Sequence, residues 1–101
     1  MAPDQLLINQ VAIVTGGASG IGAGISLAMG AAGAAVVINY HSDGDTAAEL
    51  VGRIKADGGR AISLEADVSI EQDVKRLFEK TVAAFGHVDV LVTNSGVLQD
   101  A

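Results

Sequence analysis

Cysteine and tryptophan are absent from this 101-residue sequence, and proline occurs once. Without cysteine there is no disulfide framework, no thiolate zinc site and no cysteine nucleophile. The lack also accords with a reducing compartment. Cations are scarce: six Lys and Arg stand against twelve Asp and Glu, a formal net charge of −6. DNA and RNA repel an acidic chain, which argues against a nucleic-acid partner. No apolar run reaches the roughly 18 residues of a membrane span. The first ten residues hold Asp4 and neither Lys nor Arg, so they lack the charged start of a secretory signal. We therefore expect a cytoplasmic protein with no membrane partner. Aromatics are few, one Tyr and two Phe. What is abundant is small and apolar: half of the residues are hydrophobic, and 13 are glycine. That hydrophobicity excludes intrinsic disorder, and the aperiodic glycines exclude collagen. A chain of this length makes one domain at most. It can bury roughly 60–70% of its unfolded surface, enough for a real core.

The pattern along the chain alternates. Val11-Ala-Ile-Val-Thr15 is a short β-branched apolar run ending at glycines, the signature of a strand buried on both faces. From Ser19 the spacing becomes helical, with Ile21, Ile25, Ala28 and Ala32 recurring, and Gly33 is a stop. Ala34 to Asn39 reads as a second buried strand. Ala47, Leu50, Val51 and Ile54 share one helical face, closed by Gly58-Gly59. Ala61 to Glu65 reads as a third strand. Ser69 opens a third helix, with Gln72 three residues on as a capping box. Its apolar stripe is Ile70, Val74, Leu77, Phe78, Val82 and Phe85, and Gly86 ends it. Val88 to Val92 reads as a fourth strand. Strand and helix alternating at this spacing predict an α/β fold with a parallel, Rossmann-type sheet and right-handed crossovers. The expected strand order is 3-2-1-4. Two helices then cover one face and only one covers the other. The fourth strand is a bare apolar edge, which invites self-association. The sheet reads as incomplete.

The chemistry lies in Thr15-Gly16-Gly17-Ala18-Ser19-Gly20-Ile21-Gly22, where the first strand turns into the first helix. Gly16 permits a sharp turn, Gly20 permits close approach of backbone to a ligand, and Gly22 permits tight helix packing. The helix start offers unpaired N–H groups and the positive end of its dipole. Together these favour a phosphate or pyrophosphate. No Gly-Lys-Ser/Thr follows, which excludes the ATP-type phosphate loop. The plain alternative is a tight turn that holds no ligand.

Gly16, Gly20 and Gly22 after Thr15, then Asp67-Val68, then Asn94-Ser95-Gly96 make up three motifs at characteristic separations. In these residues the sequence resembles the N-terminal half of a short-chain dehydrogenase/reductase, over roughly residues 9–98. The stretch from Asn94 to Ala101 resembles the glucose 1-dehydrogenases of that family. The resemblance implies a nicotinamide dinucleotide as cofactor. It implies that Gly16, Ser19, Gly20, Ile21 and Gly22 line the pyrophosphate. Asp67 and Val68 would hold the adenine, Asp67 accepting from its amino group and the Val68 backbone donating. Asn94 would brace the sheet, with the Gly96 backbone near the ribose. The family usually reads Asn-Asn-Ala-Gly there, so Thr93 and Ser95 are departures, both small and polar. Asp67 also fits a plain turn or capping role.

An acidic residue that holds the ribose 2′-hydroxyl is expected roughly 20 residues beyond the glycines. Counting from Gly20 reaches Tyr40. No carboxylate there repels a 2′-phosphate, and Asn39, His41 and Ser42 offer hydrogen bonds to one. NADP is therefore favoured over NAD, although Asp43 and Asp45 weaken the case. His41 is equally readable as a solvated loop residue, and His87 as a surface one. The family's catalysis rests on a Ser and a Tyr-x-x-x-Lys. The sole tyrosine here, Tyr40, is followed four residues later by Gly44, so no catalytic residue is assigned, and no metal site either. Residues 1–101 read as a dinucleotide-binding half that stops before the catalytic region, part of an alcohol–carbonyl oxidoreductase. Two alternatives stand beside it: a non-catalytic nucleotide-binding or interaction module, and a flavodoxin-like protein, which would call for a Ser/Thr-rich phosphate loop.

Overall fold

A computed structural model describes residues 6–94. Seven elements alternate along them: β1 Val11–Thr15, α1 Gly20–Ala31, β2 Ala35–Tyr40, α2 Gly44–Ala56, β3 Arg60–Glu65, α3 Glu71–Phe85 and β4 Val90–Thr93. The four strands form one sheet in the order β3-β2-β1-β4. All pairs are parallel, with Ile13 level with Val37 in β2 and with Leu91 in β4. β1 is buried along its whole length and β2 up to its last residue, because both have neighbours on each side and helices above and below. That explains why the two central strands are apolar runs without alternation.

The core divides by face. Val14, Val36 and Ile38 point to the α1–α2 side, where they meet Ala47, Leu50 and Ile54 of α2. Ile13 and Val37 point the other way, to Leu77 of α3, with Phe78 and Phe85 packed around them. The second face carries α3 alone among the described residues. Beyond α3, Leu91 of β4 is 48% exposed. Together with Thr15, Val68, Val74, Leu77, Phe78 and Thr93 it lines an apolar hollow of about 260 Å³.

Two helices differ from the sequence reading. In α1 the buried residues are Gly22, Ser26 and Gly30, not the Ile21–Ile25–Ala28–Ala32 row, and Ile21 is 74% exposed. The smallest side chains face inward because the helix lies close to its neighbours. A Cβ on Gly30 would sit 3.0 Å from the Ile54 side chain. The Ser26 hydroxyl, fully buried, donates to the Gly17 carbonyl at 3.1 Å. In α3 the expected capping box does not form: the helix begins at Glu71, and no side chain caps it. Ser69 turns back to Asp67 instead. Val82 faces solvent and Thr81 takes the buried place, its hydroxyl donating to the Leu77 carbonyl one turn earlier at 2.8 Å. A buried threonine satisfied on its own helix hides from a hydrophobic stripe. β4 starts two residues later than expected, since Asp89 is occupied in pairing with Val11: its N–H donates to the Val11 carbonyl, and its carboxylate accepts from the Val11 N–H at 2.7 Å. His87 stands 2.8 Å from that carboxylate, at the strand-start end of the sheet.

Candidate nucleotide-binding site

In open parallel sheets, ligands bind beyond the carboxyl ends of the strands, where the order reverses. Here the reversal falls between β1 and β4, and the glycine turn lies there. Gly16 leaves β1 with φ +60, a left-handed value that glycine adopts without strain. Ser19 is extended and ends the turn, and its side chain makes no capping bond. Gly20 opens α1 with φ +53, and a Cβ placed on it would meet nothing within 4 Å. The first turn of α1 holds no acidic residue, whereas α2 has Asp45 and α3 has Glu71 and Asp73 in theirs. Positive dipole, free donors, open space and no carboxylate suit the α1 start to a pyrophosphate. Ser19 and Ile21, both exposed, flank it. Gly22 faces inward: a Cβ there would collide with the Gly16 carbonyl and lie 2.7 Å from Asn94 Nδ2.

Asn94 ties the turn to β4. Its N–H donates to Thr15 Oγ1 at 3.0 Å, and Nδ2 donates to the Gly16 carbonyl at 3.2 Å. Thr15 Oγ1 in turn donates to the Val92 carbonyl at 3.3 Å. Gly96, the last candidate, lies outside the described residues.

At the ends of β2 and β3 the chain brings His41 and Asp67 together, His41 Nε2 standing 3.8 Å from Asp67 Oδ2. The imidazole is largely exposed, as are Ser42 and Val68. Tyr40 is half-buried, with its ring over the start of α2, where a Cβ on Gly44 would lie 3.3 Å away. Asp67 builds the turn into α3. Its Oδ1 accepts from the Ser69 hydroxyl at 2.6 Å and the Ser69 N–H at 3.0 Å, and its own N–H donates to Asp73 Oδ2 at 2.8 Å. These bonds from Ser69, the hydroxyl first, hold the Asp67 carboxyl below the usual carboxylate range, with a lesser contribution from His41. The Asp67 carboxylate is thus a turn residue through Oδ1 and the neighbour of His41 through Oδ2.

One expected contact is corrected. Asn39 does not reach a phosphate: it is 2% exposed, and its carboxamide is spent on backbone. Sequence reasoning missed its structural part, and it missed Asp73. A polar residue closing a run such as Ala-Val-Val-Ile-Asn is the signal that a buried donor set is needed there. Among the described residues no three His, Asp or Glu gather as a metal site, and no helix is long and apolar enough to cross a membrane.

The fold and the glycine turn define an α/β protein with a Rossmann-type parallel sheet. The chain belongs to the short-chain dehydrogenase family, whose model matches residues 10–101. It is 44% identical over 90 residues to the hydroxynaphthalene reductase-like protein Arp2 of Metarhizium robertsii, covering 89% of this chain and 34% of that protein. It is 45% identical over 92 residues to the short chain dehydrogenase claC of Passalora fulva, covering 91% and 34%. Among solved structures, a short chain dehydrogenase from Burkholderia cenocepacia in complex with NADP superposes with a TM-score of 0.88 at 38% identity, covering 95% of this chain and 39% of that one. A hydroxysteroid dehydrogenase from Escherichia coli gives 0.86 at 35% identity, covering 95% and 41%. The chain spans about a third of the length of the curated relatives it matches.

Proposed function

We propose that this chain is the dinucleotide-binding part of an oxidoreductase that moves hydride between NADP(H) and an alcohol or carbonyl substrate. The observation that carries the reading is the open, left-handed Gly20 at the carboxylate-free start of α1. Gly16, Ser19, Gly20 and Ile21 would hold the pyrophosphate, and Asp67 Oδ2 with Val68 would hold the adenine. Tyr40, His41 and Ser42 would surround the ribose 2′ position. When bound, the nicotinamide supplies or accepts the hydride. NADP is preferred over NAD because Tyr40 ends β2 where a carboxylate would oppose a 2′-phosphate, and a relative of the same fold was solved with NADP. Glucose, as one such alcohol, rests only on the stretch from Asn94 to Ala101, most of which lies beyond the described residues. Residues 1–101 do not contain the family's Tyr-x-x-x-Lys, so no residue here is given the proton transfer.

The test is a titration of the chain with NADPH, followed by cofactor fluorescence. Gly20→Val forces a β-branched side chain into a left-handed conformation and into the open space over the turn, and should abolish saturable binding. Equal affinity in the two proteins, both shown folded by circular dichroism, removes the glycine turn from the site.

A further inference from the structure

We propose that Asn39 is a positioning residue that locks the phosphate side of the cleft to its adenine side. The proposal rests on the dinucleotide reading above. Asn39 is the fifth residue of β2, two strands' ends flank it, and it is buried. Its Oδ1 accepts from the Gly16 N–H at 3.3 Å, and its backbone carbonyl accepts from the Gly17 N–H at 2.9 Å. On the other side its Nδ2 donates to the Ala66 carbonyl at 3.1 Å, with the Leu64 and Tyr40 carbonyls at 3.4 Å. The orientation of the amide is fixed by this set, since its one donor neighbour faces oxygen and its acceptors face nitrogen. One carboxamide thus holds the first residue of the glycine turn and the residue just before Asp67.

Asn94 holds the same Gly16 from the β4 side, through its carbonyl. Gly16 is therefore fixed at both its N–H and its C=O, by Asn39 of β2 and by Asn94 just past β4. Only the Asn39 half of this clamp extends to the adenine side. A ligand that spans both turns needs them at a set separation, and small misplacements are costly for a rigidly bridged pair of contacts. A ligand that touches one turn has no such requirement. This distinguishes a positioning role from a merely stabilising one.

Asn39→Ser removes the reach to Gly16 and to Ala66 together. Asn39→Asp keeps the acceptor for Gly16 and loses the donors to Ala66 and Leu64. Both should weaken NADPH, which spans the two turns, about tenfold, the size of one lost buried hydrogen bond. Adenosine 2′-monophosphate, which meets only the β2–β3 side, should change by no more than about twofold. NADPH affinity that stays unchanged in a folded variant, or a fragment that weakens as much as NADPH, overturns the proposal. Should neither variant fold, hydrogen exchange on the unmodified chain decides. Saturating adenosine 2′-monophosphate should slow exchange at the Gly16 and Gly17 amides, across the clamp, by up to about twofold, the coupling that the variants allow, and unchanged exchange there overturns it. If the unmodified chain binds neither NADPH nor NADH, the dinucleotide reading falls and takes the Asn39 proposal with it. If it binds and Asn39→Ser binds equally well, only the Asn39 proposal falls.

Discussion

Tyr40 ends β2 at the point where a single charge decides which nicotinamide is tolerated. Tyr40→Asp would place a carboxylate beside the 2′ position. Like charges near a surface repel by about 1 kcal/mol or more, so the ratio of NADP to NAD affinity should fall at least about fivefold at fixed salt. A ratio that does not move would show that the end of β2 does not read the 2′ position. Asp67 gives a second residue-scale expectation, this one in pH. Its folded carboxyl is held below the usual range, so its bonds stabilise the turn above the ordinary aspartate pKa of about 3.9. That contribution is lost as pH falls through the lower folded value. Ser69→Ala removes the largest cause, the hydroxyl bond. The variant should melt below the native chain at pH 6 to 7, and the gap should close as pH falls below about 4. A melting-temperature gap that is constant from pH 3 to 7 contradicts the assignment of that shift to Ser69.

At the scale of elements, glycine serves two opposite ends. Gly24 in α1 and Gly52 in α2 lie in helix interiors, and a Cβ on either would meet nothing within 4 Å. Alanine at each should therefore stabilise the chain by about 0.5–1 kcal/mol, by restricting the unfolded state and favouring helix. Thermal melts of the single and double variants check this, and any loss of melting temperature would mean a contact absent from this structure. The same elements show what the sequence made legible. β1 and β2 could be read because strands buried on both faces need no alternation, only β-branched residues between breakers. The sheet order followed from the alternation of strands with helices. The buried side of α1 could not be read, since Gly22, Ser26 and Gly30 carry no hydropathy signal and Ile21 carries a false one. The glycine turn of the site was legible from its place between strand and helix. Asn39 reads in sequence as a donor to a 2′-phosphate because its true partners, Gly16 just past β1 and Leu64 and Ala66 at the end of β3, are brought to it only by the folded sheet. The α3 start was misjudged for a related reason: Ser69 had two acceptable partners in sequence, and Asp67 is the one it takes.

At the scale of the described chain, the uneven cover of the sheet carries an expectation about association. β4 pairs with β1 alone among the described residues, and the hollow beside Leu91 is apolar. We expect these 101 residues to self-associate through that side, so that sedimentation coefficients rise with concentration. Leu91→Lys should shift the distribution toward monomer, whereas a sharp monomer at all concentrations would count against an open sheet edge. No steady oxidation of glucose or other alcohols is expected from the purified, mass-verified chain with either nicotinamide. Sustained turnover would mean that acid–base chemistry is available from residues other than a Tyr-x-x-x-Lys pair.

The inward row of Gly22, Ser26 and Gly30 bears on how this protein can be redesigned. Substitution matrices and hydropathy-guided libraries treat Gly→Ala and Ser→Ala as mild, and Ile→Lys as severe. Along this inward row of α1, unlike at the open Gly24, the tolerance should run the other way. Ile21 projects into solvent and can accept a charge with little loss of fold, while one added methyl at position 22 displaces the Gly16 carbonyl and the asparagine above it. A saturation library of α1 sorted for folded protein should show forbidden positions every fourth residue, at 22, 26 and 30, on a helix where volume rather than polarity is the selected quantity.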